Sequence, residues 1–417
     1  MVYLILSAFF TFLLFLVRRV AVPPSVMVDI VLSLAFIVII GFFLGKFFEL
    51  LQFPAISGYL IAGLILSPYS FGLMNFEPLN NLTFITEIAL VFIAIQSGME
   101  MKMSFLKKHG RGIIKLTLSI ACVTFIGVFT ASLLFFQRIS LETPLKAAIL
   151  LGSLLILKSP LSTIAVIKES GVKKTEMGDT ILAIAILKDI IVILLFAMLI
   201  SLFGGEGSSI ILSIVELIGS LAVGVIVGGL VALYMRHVNV EMPVFIFILA
   251  FLVSQFRFIH IDPLLVSIIT GFFIQNFTFA GEEFQKVLDN ISPAIYLLFF
   301  ALVHALTDVH AIIKVMPIVL ILIGVKWLFT ELGLIIGTKD PIIKKFGSVG
   351  LINQSGLSLV LVLIIESTFP EIGGIIKVIT IGVIIVTDLF APAMFKHALV
   401  KAAKERKRSR GKTSSAS

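Results

Sequence analysis

The run "LLILKSPLSTIAVIKESG", residues 154–171, has the apolar make-up of a membrane helix but is interrupted by Lys158, Ser159 and Pro160. Proline removes a backbone donor and disfavours helix at the residue before it, so the run predicts two helical segments with a break between them. A second run, "SVGLINQSGLSLVLVL" at 348–363, is interrupted by Asn353, Gln354, Ser355 and Gly356, which can unwind locally and offer polar groups. Taken alone, either run also reads as an ordinary kinked helix whose serines bond back to carbonyls of the preceding turn. Their places in the chain distinguish the two readings.

The segments "FPAISGYLIAGLILSP" at 53–68 and "IDPLLVSIITGFFIQN" at 261–276 are both short and apolar, open with proline and carry a glycine about two turns later, Gly63 and Gly271. One long apolar segment precedes each. Counting from that segment, the interrupted helix is the fifth in both halves. Six helices from near residue 29 and six from near 242, joined by one at 210–235, set matching members seven helices apart in chain order, an odd step, so the halves should be inverted relative to each other. The expected organisation is an N-terminal extra helix (1–28), a first inverted repeat (29–203), a linker helix (204–241), a second repeat (242–399) and a basic tail (400–417). Inverted repeats that each contain a broken helix are the pattern of secondary transporters, with the ligand site where the breaks meet near the bilayer midplane.

Composition agrees with this class. The 417 residues are 59% hydrophobic and 13% charged, with a mean hydropathy of +1.17, which leaves too few charges to cover a soluble protein of this size. At about 20 apolar residues per span, candidate helices fall near 4–20, 29–50, 54–66, 82–99, 111–136, 144–168, 178–203, 210–235, 242–257, 262–277, 288–306, 312–337, 344–366 and 371–398. The expected fold is an all-α polytopic membrane protein of about 13–14 transmembrane helices, with the two discontinuous helices crossed. No basic stretch precedes the first apolar segment, so it reads as a retained anchor rather than a cleaved signal.

Lys102, Lys107, Lys108, Arg111, Lys173, Lys174, Lys339, Lys344, Lys345 and the tail "KAAKERKRSRGK" all fall on one side of the predicted membrane. The opposite loops "SPYSFGLMNFEPLNN", "GGEGSS" and "STFPEIGG" contain no lysine or arginine, so the positive-inside rule makes the C-terminus cytoplasmic. Arg18 and Arg19 disagree if the first segment spans. The net charge of +8 comes largely from this asymmetry and the tail. A basic tail directly after a membrane helix reads as a topology signal that touches anionic lipid headgroups, and no nucleic-acid module is present. The single Cys122 gives no disulfide framework and no thiolate metal cluster, and no cofactor is expected.

Within the run "ILAIAILKDIIVILLF" at 181–196, Lys188 and Asp189 stand side by side. Asp189 falls about 16 Å into its predicted helix, near the midplane. A charge there costs about 2.5–3.5 kcal/mol on insertion scales, so it marks a functional site by default. The alternative is a buried pair that only fastens two helices together. Adjacent helical residues point about 100° apart, so Lys188 does not meet Asp189 head-on. Lys158, rising from the first break, is the expected direct partner. A positive charge about 6 Å away, at an effective dielectric near 20, is worth about 3 kcal/mol. Burial opposes it, so the sequence permits a proton-exchanging carboxylate. Glu87, Gln96, Lys326, Glu331, Lys377 and Asp388 read mostly as interface or interhelical contacts. His304, inside the predicted 288–306 span, reads as a packing residue.

Five motifs carry a family resemblance: "GYLIAGLILSPYSFGL" (58–73), "IAIQSGMEM" (93–101), "STIAVIKESG" (162–171) followed by Lys188-Asp189, "LLFFALVHALTDV" (297–309) and "VTDLFAPAMFKHAL" (386–399). Together they resemble the monovalent cation:proton antiporters, in particular the branch of bacterial Na+/H+ antiporters and Kef-type K+/H+ exchangers. The resemblance covers the chain after residue 28. It implies a homodimer with a scaffold domain and a moving core, alternating access, and a core aspartate that binds a monovalent cation and a proton in turn. That role falls on Asp189, with Ser159, Thr163, Asn353 and Gln354 as neighbours on the unwound helices. The departures concern charge. Lys188 stands where relatives carry aspartate, asparagine or glutamine, and Lys158 where threonine or serine is usual. Leu357 replaces a glutamate and His304 a glycine, and the 288–306 helix lacks the lysine of electrogenic members. The ammonium of Lys188 could take the place of Na+ beside the aspartate.

The function expected from these readings is Na+ (or K+)/H+ antiport through Asp189 in the inner cell membrane, with Lys188 and Lys158 tuning the site. The alternatives are a carrier of the same fold whose lysines favour an anion or protons alone, and a membrane sensor or scaffold that does not transport. No paired-histidine, serine–histidine or phosphate-loop motif supports an enzyme.

Overall fold

The computed structural model describes residues 2–20, 26–51, 53, 55–100, 103–170, 176–203, 210–238, 241–256, 261 and 263–414. Among these residues every extended regular element is helical. In chain order the α-helices are α1 (Val2–Val20), α2 (Val26–Leu50), α3 (Ala55–Leu66), α4 (Phe76–Asn81), α5 (Thr83–Glu100), α6 (Met103–Arg138), α7 (Pro144–Leu155), α8 (Pro160–Glu169) and α9 (Glu176–Phe203). They continue as α10 (Ile210–His237), α11 (Met242–Ser254), α12 (Pro263–Phe277), α13 (Gly281–Ala305), α14 (Val309–Gly337), α15 (Pro341–Phe346), α16 (Leu357–Thr368) and α17 (Pro370–Ser414), with a 3-10 turn at Ser348–Leu351.

Among the described residues, seven helices are long and apolar enough to cross a bilayer alone, and seven shorter apolar helices accompany them. Each apolar run read from the sequence contains one of these. The two interrupted runs resolve as expected into separate helices: 144–168 is α7 and α8, and 344–366 is α15, the 3-10 turn and α16. The last helix departs from expectation by continuing to Ser414 through the residues assigned to a tail. Lys, Ala, Glu and Arg dominate there, and all are strong helix formers. Gly110, at φ 66° and ψ −172°, breaks α6 before its membrane portion, a conformation open to glycine and costly for other residues. Lys102, Lys173, Lys174 and the "GGEGSS" loop, which carried part of the orientation argument, lie outside the described residues.

The chain forms two compact units, and each takes segments from both halves of the sequence. The first comprises Met1–Glu100 and Ile211–Lys314. Its helices approach closely where glycines remove side chains. A Cβ at Gly98 of α5 would collide with the Ile268 carbonyl of α12, and one at Gly271 of α12 with the Ile95 carbonyl of α5. A Cβ at Gly63 of α3 would collide with the Ala301 carbonyl of α13. Gly63 and Gly271, matched between the halves by sequence, therefore serve matching close approaches: second helix of one half against third helix of the other. Gln96 is sealed into this unit by donors from Ser292 (2.9 Å) and Tyr296 (2.8 Å), an interhelical contact of the kind expected for it.

The second unit comprises Met101–Ile210 and Val315–Ser417. α6 and α14 are joined by a Thr124–Thr330 hydroxyl pair at 3.1 Å and by Ser119 donating to the Gly333 carbonyl at 3.0 Å. A cluster including Ile181, Ile184, Leu351 and Phe395 ties α9 to the 3-10 turn and α17. Both broken helices, α9 and Lys326 of α14 lie in this unit.

Candidate functional site

α9 is 28 residues long and Asp189 is at its middle, about 20 Å from its first residue. Lys188 is 0% and Asp189 3% exposed. The helix forms because 181–200 is almost wholly aliphatic. The same apolar setting denies both charges water, which makes their partners decisive.

The first break runs from Ile156 to Ser159. Pro160 opens α8 at the position where a missing N–H costs nothing, and the Ser159 hydroxyl caps that helix by accepting the Ser162 N–H at 3.1 Å. The Ser159 carbonyl then accepts the Thr163 hydroxyl at 2.8 Å and the Lys158 ammonium at 3.1 Å. Ser159 and Thr163 thus hold the shape of the break through local bonds of the kind a kinked helix would also use.

The second break, 352–356, places Gln354 against the first. The Gln354 amide donates to the Leu154 carbonyl at 2.6 Å and to the Ser358 hydroxyl at 2.8 Å. Its oxygen accepts from Lys326 of α14 at 2.5 Å, and the same ammonium reaches the Leu157 carbonyl at 3.2 Å. The two interrupted helices therefore meet, and a fully buried lysine bonds to both. A cation suits that position because the carbonyl end of α7 carries partial negative charge.

The direct Lys158–Asp189 pair expected from sequence is not formed. Lys158 is 1% exposed, but its ammonium turns to the carbonyl of the next residue and lies 5.9 Å from the centre of the Phe395 ring. The Ser159 carbonyl, which also takes the first amide bond of α8 from Thr163, is the acceptor within reach of the ammonium. Lys158 and Lys188 act on Asp189 through space, and half-buried Asp388 of α17 acts on Lys158 and Lys326 in the same way. Three lysines and two aspartates, from the first break and three helices, thus form one electrostatic cluster in a single compact unit.

Three buried polar atoms near these breaks have no hydrogen-bond partner among the described residues: Lys188 Nζ, Asp189 Oδ1 and Asn353 Nδ2. Buried polar groups are ordinarily paired, so these unpaired ones mark where a ligand could be held. From sequence, Lys326 and Asp388 read only as general interhelical contacts. Lys326 does bridge helices, but it does so at the crossing itself, and the only sequence signal was a lysine inside an apolar run. His304 belongs to the first unit, where it is fully buried; its Nδ1 donates to the Phe300 carbonyl at 2.7 Å, while its Nε2 has no hydrogen-bond partner among the described residues, so it is only half satisfied.

Comparison with known proteins agrees with this architecture. The probable Na(+)/H(+) antiporter 3 of Methanocaldococcus jannaschii is 24% identical over 390 residues, covering 89% of this chain and 95% of that protein. The probable Na(+)/H(+) antiporter GerT and the Na(+)/H(+)-K(+) antiporter GerN, both of Bacillus cereus, are 26% and 25% identical, and the matches span 64% and 62% of their lengths. The solved structure of the sodium proton antiporter MjNhaP1 of M. jannaschii superposes with a TM-score of 0.70 at 17% identity, covering 91% of this chain and 99% of that one, and so shares the fold. The model of the sodium/hydrogen exchanger transmembrane family matches residues 32–401, from within α2 to within α17, and this chain belongs to that family of multi-pass membrane proteins.

Proposed function

We propose that the protein exchanges Na+ or K+ for H+ by alternating access, with Asp189 binding the cation and the proton in turn. The observation that carries this reading is a carboxylate at the centre of a membrane helix, 3% exposed, with Oδ1 unpartnered, in the same unit as two broken helices that meet. A monovalent cation needs a negative charge and several oxygens at close range. Asp189 supplies the charge, and the breaks expose carbonyls that regular helix would have used. When the carboxylate is protonated, the same position holds the exchanged proton without a net buried charge. The relatives named as Na+/H+ antiporters support the substrate class. By the same reading the two halves are inverted repeats, the chain is a homodimer in the inner cell membrane, and its C-terminus is cytoplasmic.

One observation favours a second reading. The cluster holds three lysines to two aspartates, and a carrier of this fold with that balance would suit an anion or protons alone. Reconstitution in liposomes containing a pH-sensitive dye separates the readings. With an imposed pH gradient, addition of Na+, K+ or Li+ should dissipate it in the wild type and fail to do so in Asp189→Asn. A response to an anion gradient with none to any cation would overturn antiport in favour of the second reading.

A further inference from the structure

The three buried lysines of the second unit are not equivalent. Lys326 donates to the Leu157 carbonyl and to Gln354, and Lys158 donates to the Ser159 carbonyl, so both are committed to the broken helices. Lys188 is as deeply buried as either, and its Nζ meets no acceptor among the described residues. The charge that acts on it is Asp189, one residue along the same helix, whose Oδ1 also lacks a partner. The helix explains this arrangement. Neighbouring side chains diverge by about 100°, which keeps the ammonium and carboxylate from bonding, while the low-dielectric interior lets the two charges act on each other at a distance.

The geometry points to Lys188 as a tethered competitor for the transported cation. Its ammonium supplies at a distance the positive charge that Asp189 requires when no ion is bound, and it leaves the carboxylate oxygen uncovered. A monovalent cation then binds against the field of a fixed ammonium, so Lys188 is a specificity-determining residue that sets the apparent affinity for the ion. A salt bridge would instead cover the oxygen and block the site. A neutral residue would leave the carboxylate with no competing charge.

This inference rests on the reading that Asp189 carries the ion, and the two are tested apart by cation-evoked exchange in liposomes. In Lys188→Gln the KM for Na+ should fall at least tenfold with little change in kcat. Lys188→Arg, which keeps the charge, should transport with a KM at or above that of the wild type. An unchanged KM in folded Lys188→Gln, or loss of transport there, overturns the competitor role. So does a lowered KM or loss of transport in Lys188→Arg, the variant that still decides the matter if the glutamine protein does not fold. Exchange that persists in Asp189→Asn removes the underlying reading instead. Silence in Asp189→Asn with an unchanged KM in Lys188→Gln removes only the competitor.

Discussion

Lys326 on α14 donates to the Gln354 oxygen at 2.5 Å and to the Leu157 carbonyl at 3.2 Å, so a single side chain joins the two helix breaks. Lys326→Met would leave both acceptors buried without that donor, at a cost of about 1–3 kcal/mol for each unsatisfied group. The expected outcome is a clearly lowered Tm for the solubilised protein. The sole tryptophan, Trp327, is the next residue and donates to the Ser348 hydroxyl at 3.2 Å, so its fluorescence reports unfolding from this crossing. Unchanged thermal unfolding in Lys326→Met would show that the bridge does not hold the breaks.

The hydroxyl of Ser159 should matter less. Ser159→Ala removes the N-cap of α8 but leaves its carbonyl available to Thr163 and Lys158. Loss of such a cap costs about 0.5–2 kcal/mol. The Tm should fall by less than in Lys326→Met, and a larger fall would mean that the hydroxyl has a role at the site beyond capping.

In the first unit, Gly98→Ala and Gly271→Ala each drive a methyl group into a carbonyl on the facing helix, and backbone cannot yield as a side chain can. Overpacking of this kind costs typically about 1–3 kcal/mol. Gly229→Ala provides the contrast, because a Cβ there meets nothing within 4 Å. Alanine exceeds glycine in helix propensity by about 1 kcal/mol. Size-exclusion profiles after graded heating should show the first two variants lost early and Gly229→Ala at least as stable as the wild type.

At the far end of α17, Arg406 pairs with Glu176 at 2.5 Å, where α9 begins, and with Asp340 at 3.1 Å, which caps α15 by accepting the Ile342 and Ile343 amides. These groups are partly exposed, and surface pairs contribute about 0–1 kcal/mol with strong salt dependence. Arg406→Ala should lower the Tm modestly in low salt, and the difference from wild type should shrink in high salt. A difference that does not respond to salt would argue against an ionic tether.

The sequence by itself determined the membrane class, the positions of the apolar helices and the two breaks. Lipid demands long apolar segments, and proline or a cluster of polar residues cannot pass unnoticed inside one. It also determined that Lys188 and Asp189 were the residues to explain, because charge within an apolar helix is costly wherever it faces. Tertiary structure decided the partners. Lys158 was expected at Asp189, but it bonds to the carbonyl of the neighbouring Ser159, the N-cap of α8. Lys326 looked like one interhelical contact among several until α14 packed so that its ammonium reached both interrupted helices. Which of several lysines meets which acceptor depends on helix rotation and on distances across the fold. Neither is encoded by spacing along the chain, so only the packed structure shows that Lys158 and Lys326 are committed to the broken helices and that Lys188 is left without an acceptor among the described residues.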